Sequence, residues 1–195
     1  SKDTNMANVP TTVFTKRETP IPGLLIFDID FPSDDRGWFQ EKFQREKLVE
    51  QGLPADFQIV QNNVSFNKDR GVIRGFHAEP WDKYISVVTG SAFVAYVDLR
   101  KGPSFGTVFT ATLTNSSSVF LPKGVANSFQ VLEDNTFYVY STNDHWRADN
   151  YDQYCFVNLA DPELAIEWPI ALEDSILSER DKNHPNLSDI TPMEI

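Results

Sequence analysis

Cysteine, histidine and positive charge are all scarce in this chain. A single cysteine, Cys155, closes no internal disulfide, which points to a reducing, cytoplasmic compartment. No apolar run approaches the roughly 20 residues that cross a bilayer, and no signal-peptide pattern opens the chain. No membrane partner is therefore expected. Basic residues number 17 against 28 acidic ones, a formal net charge of −11. That balance lacks the basic face of nonspecific nucleic-acid binders, so no nucleic-acid partner is expected either. A small anion remains possible as a ligand, because a local Arg or Lys acts at close range while distant charge is screened over about 10 Å. No internal repeat or low-complexity tract is present.

Aromatic residues, by contrast, are plentiful. They make up 13% of 195 residues, ample for one sizeable core, and the length suits one domain with appendages. Residues 1–20 are polar and rich in Pro and Thr and are read as an N-terminal arm, with 1–5 a tag remnant and Met6 a natural start. Residues 21–195 are read as a single folded domain. L-L-I-F-D-I-D-F (24–31) predicts a strand closed by the turn P-S-D-D-R-G. Q-R-E-K-L-V-E-Q-G (44–52) predicts a helix with charged flanks and a glycine stop. From Phe57 to Trp146, short strands alternate with Gly, Pro and Asn turns at a spacing of roughly 8–12 residues, as in a β-sandwich or barrel. D-S-I-L-S-E-R-D-K (174–182) predicts one or two short helices capped by Ser175 or Ser178. The expected fold is all-β: a central barrel with an N-terminal arm and short C-terminal helices.

One stretch stands apart. G-V-I-R-G-F-H-A-E-P-W-D-K (71–83) sets His77 between Arg74 and Lys83, with β-like flanks. Polar side chains this dense are costly inside a barrel unless they line a wet, working cavity. Taken alone, the stretch fits a surface turn equally well; three polar clusters downstream favour the cavity. Histidine titrates near 6.5 when unperturbed, which suits His77 as a general base at neutral pH. Gln61 and Asn63 share one strand face and suit hydrogen bonds to a polar ligand.

A histidine on a barrel strand also suits a metal-dependent cupin, which needs about three histidines and a carboxylate on one ion. The chain has only His77, His145 and His184. H-A-E offers no second histidine two residues after His77, L-P-K-G-V-A-N ends in Asn127 where a ligand is expected, and His184 sits in an N-H-P tail segment. Histidines so scattered predict no metal site.

Six segments, in order, resemble one known family. They are D-D-R-G-W-F-Q-E (34–41), V-Q-N-N-V-S (60–65), G-V-I-R-G-F-H-A-E (71–79), V-D-L-R-K-G-P-S-F-G (97–106), L-P-K-G-V-A-N-S-F-Q-V-L (121–132) and D-P-E-L-A-I-E-W-P (161–169). Together they are similar to the dTDP-4-dehydrorhamnose 3,5-epimerases, and to the streptococcal type in H-A-E-P-W-D-K-Y-I-S-V and D-K-N-H-P. The resemblance implies a cupin-like (jelly-roll) β-barrel that works as a metal-free, cofactor-independent homodimer. The implied substrate is a dTDP-linked 4-keto-6-deoxyhexose. The implied reaction converts dTDP-4-keto-6-deoxy-D-glucose to dTDP-4-keto-L-rhamnose, within dTDP-L-rhamnose biosynthesis.

The resemblance also implies roles for individual residues. Asp181 becomes the carboxylate partner of His77; the residues alone do not choose it among the chain's other carboxylates. Lys83 becomes the cation facing the sugar C4 oxygen, and Tyr140 the acid that returns a proton on the opposite face. Tyr138 lies on the same strand face as Tyr140, so strand parity does not separate the two. Arg36, Phe39 and Glu41, from R-G-W-F-Q-E, become nucleotide-binding residues that cross to a partner subunit, so the homodimer is expected to form partly by N-terminal strand exchange. Arg74 is placed to hold the diphosphate from the barrel interior, through bidentate, charge-assisted bonds.

Two departures bear on function. Asn127 stands where many members carry histidine; an amide is no base, so Asn127 is read as a polar positioning group. His145 stands where an aromatic Tyr is common. A single-site C3 or C5 epimerase, or a ketoisomerase of another dTDP-4-keto-6-deoxy sugar, is the alternative within the same fold. A non-catalytic or metal-binding cupin module is the alternative from another class.

Overall fold

The computed structural model describes residues 10–195. The readings of residues 1–5 and of Met6 lie outside the described residues. Two antiparallel sheets face each other. One runs in the order β1 (Val13–Glu18), β2 (Leu25–Asp30), β10 (Ser117–Leu121), β7 (Lys83–Val87), β12 (Thr136–Thr142) and β5 (Gln61–Asn67). The other runs β13 (Cys155–Phe156), β6 (Ile73–Ala78), β11 (Val125–Val131), β8 (Ala92–Asp98) and β9 (Val108–Leu113). β3 (Ser33–Asp34) and β4 (Gly37–Trp38) form a separate hairpin. This is the expected all-β, cupin-like jelly roll.

The core fills the space between the sheets. Ile26, Ile85, Val119 and Tyr138 from the first sheet meet Val94, Tyr96, Phe129 and Val131 from the second. Each sheet is covered on its outer face as well. Leu48 of α1 (Arg45–Glu50), with Leu53 and Phe57, packs over Phe27, Tyr84 and Phe120 of the first sheet. Val157, Leu159, Leu164 and Leu187 pack over Ile73, Phe76, Ala95 and Val97 of the second. Central strands buried on both faces lose the alternation of a half-exposed strand. That is why K-Y-I-S-V and S-S-V-F-L are buried at every position.

The local elements follow from their ends. Gln44 caps α1, its side chain accepting the Lys47 N–H at 2.8 Å, and Leu48 is its buried residue. Near the C-terminus, Ser178 caps α2 (Glu179–Lys182) by accepting the Asp181 N–H at 3.1 Å, one of the two serines expected to cap. The other, Ser175, instead ends a 3-10 turn over Leu172–Asp174. The N-terminal segment departs from the expected arm. Val13–Glu18 forms an edge strand paired with β2 of the same chain, and only Phe14 in it is buried. One buried side chain in six residues leaves little trace in composition; the backbone pairing holds the segment.

Asp98, at the end of β8, carries a fully buried carboxylate. It accepts Arg100 Nε and Nη2, each at 2.9 Å, and Ser104 Oγ at 2.7 Å. Burial pushes its pKa up, but the Arg100 and Ser104 bonds outweigh burial and hold it below the usual range. A depressed folded value means that this stability is present above the unfolded value of about 3.9 and is lost as pH falls through the folded one. Asp98→Ala is expected to cost roughly 3 kcal/mol, because it strands Arg100 beside an empty site. Urea titration at pH 7 and pH 3 checks this: the wild-type minus variant gap narrows at pH 3. A gap that stays constant contradicts it.

Candidate active site

The site begins with an irregularity in β6. Arg74 pairs with Phe129 and His77 with Asn127, and the register slips between Asn127 and Ser128, which faces Gly75. Without the slip, residues three apart would point to opposite faces. With it, both Arg74 and His77 face inward, the side that Phe129 shares, while Phe76 and Ala78 join the outer core. The position demands glycine: a Cβ on Gly75 would meet Ser128 Cβ at 2.5 Å and the Asn127 carbonyl oxygen at 2.6 Å. Its φ of +129° is also one that side-chain-bearing residues rarely adopt. The bulge thus aims two functional side chains into one cavity.

Asp181 reaches this cavity from α2. Its Oδ1 lies 2.8 Å from His77 Nε2, and its Oδ2 accepts the Gly75 N–H at 3.1 Å. Burial pushes the Asp181 carboxyl up, but the bonds from His77, Gly75 and His184 outweigh it and hold the carboxyl below its usual range. His77 is more open, with 36% of its side chain exposed against 6% for Asp181. The base candidate faces the open cavity while its partner stays buried behind it.

Lys83 and Tyr140 complete the inner end. Lys83 lies on the same face of β7 as the core residues Ile85 and Val87, with its Nζ bonded to Glu79 and 4% of its side chain exposed. Burial, then the Glu79 charge, pushes the Tyr140 phenol up against the opposing pull of Arg74. Tyr140 therefore carries its proton at neutral pH and can serve as an acid. The structure separates the two tyrosines that parity left together. Tyr138 is fully buried, stacks on Phe129 with ring centroids 3.8 Å apart, and donates its hydroxyl to Asn127 Oδ1 at 3.0 Å. Tyr140 opens on the cavity instead.

The cavity has two lobes that share His77, Glu79 and Tyr140. The inner lobe, about 180 Å³, adds Arg74, Lys83 and Asn127. The outer lobe, about 340 Å³, adds Gln61, Asn63 and Arg180 under an aromatic wall of Trp81, Trp146, Tyr151 and Tyr154. Gln61 Nε2 donates to Asn63 Oδ1 at 2.8 Å, and Arg74 Nε donates to Asn67 Oδ1 at 3.1 Å. Sequence reasoning missed Glu79, Arg180 and the aromatic wall. Glu79 was legible, because it stands two residues after His77 and shares its strand face. The wall comes from two connections, Trp81 between β6 and β7 and the other three between β12 and β13, and neither carries strand periodicity. His145 is exposed and lines neither lobe.

Three expected binding residues lie elsewhere in the chain. Arg36 is 90% exposed and bonds to Asp34 on the β3–β4 hairpin, Phe39 is 70% exposed, and Glu41 pairs with Lys47 of α1 at 2.7 Å. None of them lines the cavity of its own chain. The expectation of scattered histidines also needs correcting. Among the described residues, His77, Asp181 and His184 place their ligand-type atoms within 4.8 Å of one another. The chain brings His184 back beside β6 because α2 turns it there, three residues after Asp181. Both imidazole Nε2 atoms are directed at Asp181 Oδ1. The cluster is thus satisfied by its own hydrogen bonds.

Comparison with known proteins adds an independent line. The sequence profile of the dTDP-4-dehydrorhamnose 3,5-epimerase family matches residues 18–189. A "Protein RmlC homolog" of Streptococcus pyogenes serotype M6 is 51% identical over 178 residues, covering 89% of each chain. A dTDP-4-dehydrorhamnose 3,5-epimerase of Shigella flexneri is 34% identical, covering 85% of this chain and 92% of its own. The structure of RmlC from Streptococcus suis in complex with dTDP-D-xylose superposes with a TM-score of 0.89 at 46% identity, covering 96% of this chain and 98% of that one. Taken with the jelly roll and its polar cavity, these matches show that the chain belongs to the dTDP-4-dehydrorhamnose 3,5-epimerase family.

Proposed function

We infer that this chain is a dTDP-4-dehydrorhamnose 3,5-epimerase, an isomerase that converts dTDP-4-keto-6-deoxy-D-glucose to dTDP-4-keto-L-rhamnose. Family membership over residues 18–189 is the observation that carries this. The site supports a mechanism that needs no cofactor. His77 takes the proton from the carbon beside the C4 ketone, and the electron pair moves onto the C4 oxygen as an enolate. Lys83 faces that oxygen; losing such a donor typically costs roughly 10²–10³ in rate. Tyr140 returns a proton to the carbon from the other face, which inverts it. Asp181 holds the His77 ring and steadies the imidazolium formed in the first step. Solvent then takes the proton from His77 and returns one to Tyr140, and the sequence repeats at the second carbon flanking the ketone. Gln61, Asn63, Arg74 and Asn127 surround the sugar and diphosphate. The direct test is incubation with dTDP-4-keto-6-deoxy-D-glucose in a chelator-containing buffer, with the product's ring configuration read by NMR. Inversion at both carbons supports this function, and an unchanged sugar contradicts it.

The working unit in this mechanism is a homodimer. Arg36, Trp38 and Phe39 project from the β3–β4 segment with 44% or more exposure, although they belong to the family's nucleotide-binding segment. Val64, Phe66 and Phe137 add an exposed apolar patch on the outer face of β5 and β12. Contiguous exposed apolar surface marks interfaces. The crossing element in this reading is residues 36–41, R-G-W-F-Q-E. Light scattering is expected to give twice the chain mass; a stable, active monomer contradicts this. No helix among the described residues is long and apolar enough to cross a membrane. The single cysteine supports a cytoplasmic location.

A further inference from the structure

Asp181 has a neighbour that the mechanism above does not use. His184 Nε2 lies 3.0 Å from Asp181 Oδ1, the same oxygen that lies 2.8 Å from His77 Nε2. Its side chain is held from several sides and is 7% exposed. Its ring stacks on Phe156, with centroids 4.8 Å apart and planes 16° from parallel. Phe156 in turn sits opposite His77 in the β13–β6 pairing. Asn158 Nδ2 donates to the His184 carbonyl at 2.9 Å.

This ring has no route to the sugar. His77 opens on both lobes of the cavity and on a further hollow lined by Arg74, Ser178 and Asp181, and His184 lines none of the three. It lines a separate cleft, of about 670 Å³, between β13 and the C-terminal residues. Its polar atom therefore acts on Asp181 from behind. One carboxylate oxygen can accept two N–H donors. With a lone pair on either imidazole Nε2, two electron-rich atoms would meet at hydrogen-bond distance. Both rings satisfy the contact only as Nε2–H donors.

We propose that His184 is a positioning residue: it donates Nε2–H to Asp181 and fixes the carboxylate in the orientation that holds His77 as the Nε2–H tautomer. His77 Nδ1 is then left free for the sugar proton. Burial lowers the His184 pKa against the opposing Asp181 charge, which keeps this second ring a neutral donor. With His184 gone, Asp181 keeps the Gly75 N–H on its other oxygen but loses the bond that stops it rotating about that contact.

The role of His184 rests on His77 as the base, so the test has one readout that needs no substrate. The chain's three histidines make its imidazole nitrogens simple to assign by two-dimensional nitrogen–proton NMR, with His145 the exposed reference. In wild-type protein both His77 and His184 are expected as neutral Nε2–H tautomers. His184→Phe keeps the ring and the stack on Phe156 but removes the donor. In that variant His77 is expected to shift to a mixture of tautomers. A hydrogen bond to a charged group is worth about 1.5–3 kcal/mol, so kcat is expected to fall roughly 10- to 100-fold at unchanged KM. A wild-type His184 found as the Nδ1–H tautomer or as imidazolium overturns the proposal, even if His184→Phe fails to fold. A His184→Phe enzyme with wild-type kcat also overturns it. Loss of epimerase activity in the wild type itself would instead strike the proposed function and leave the tautomer result standing.

Discussion

His77→Ala is expected to abolish turnover while leaving dTDP binding intact. A positioned general base contributes roughly 10²–10⁴-fold, and the mechanism gives His77 the abstraction at both carbons. The substitution should leave the fold standing. The His77 side chain is 36% exposed, and Phe76 and Ala78 beside it carry the packing. In the proposed arrangement the nucleotide is left to other groups that line the cavity, Arg74 and the aromatic wall among them. Calorimetric titration with dTDP and a turnover assay check both halves. Residual turnover within tenfold of wild type contradicts the base assignment. A loss of dTDP affinity that matches the loss of rate would make His77 a binding residue.

Asp181→Asn is expected to be nearly as damaging through a different cause. The carboxylate accepts a proton-bearing Nε2 from His77 at 2.8 Å. An amide nitrogen at that place donates instead, so the ring would move its proton to Nδ1, the atom meant to take the sugar proton. The comparable swap in the catalytic triad of serine proteases, which also leaves a histidine in the wrong tautomer, costs about 10⁴ in kcat. Here a fall of roughly 10³–10⁴ in kcat is expected on the same physical ground, with KM little changed. Near wild-type turnover would show that the pairing is not catalytic, even though the family membership stands.

Much of this architecture is legible in the sequence, for physical reasons that differ between elements. The strands from 57 to 146 announce themselves because Gly, Pro and Asn turns punctuate them. β1 does not, since only Phe14 in it is buried and its pairing is carried by backbone. His77 stands out as a polar residue in an apolar context. What places it correctly is invisible: the bulge at Gly75 is a register slip, and nothing in G-F-H marks it apart from the glycine. Tyr138 and Tyr140 share a face, and only their depth along β12 separates the core residue from the one on the cavity. His184 reads as a tail residue, because its place beside Asp181 depends on α2, a helix of four residues. Arg36, Phe39 and Glu41 are linked to the nucleotide by resemblance alone, and a single chain does not bring them to it.

The central claim is that one chain inverts two carbons through a shared enolate-stabilising site. Lys83 can serve both abstractions because C3 and C5 flank the same C4 ketone. Incubation with dTDP-4-keto-6-deoxy-D-glucose in heavy water, followed by NMR of the sugar ring, tests this most directly. Deuterium at both C3 and C5, lost together in His77→Ala, is the predicted result. Label at one carbon alone would make the chain a single-site epimerase, and label at neither would contradict the claim.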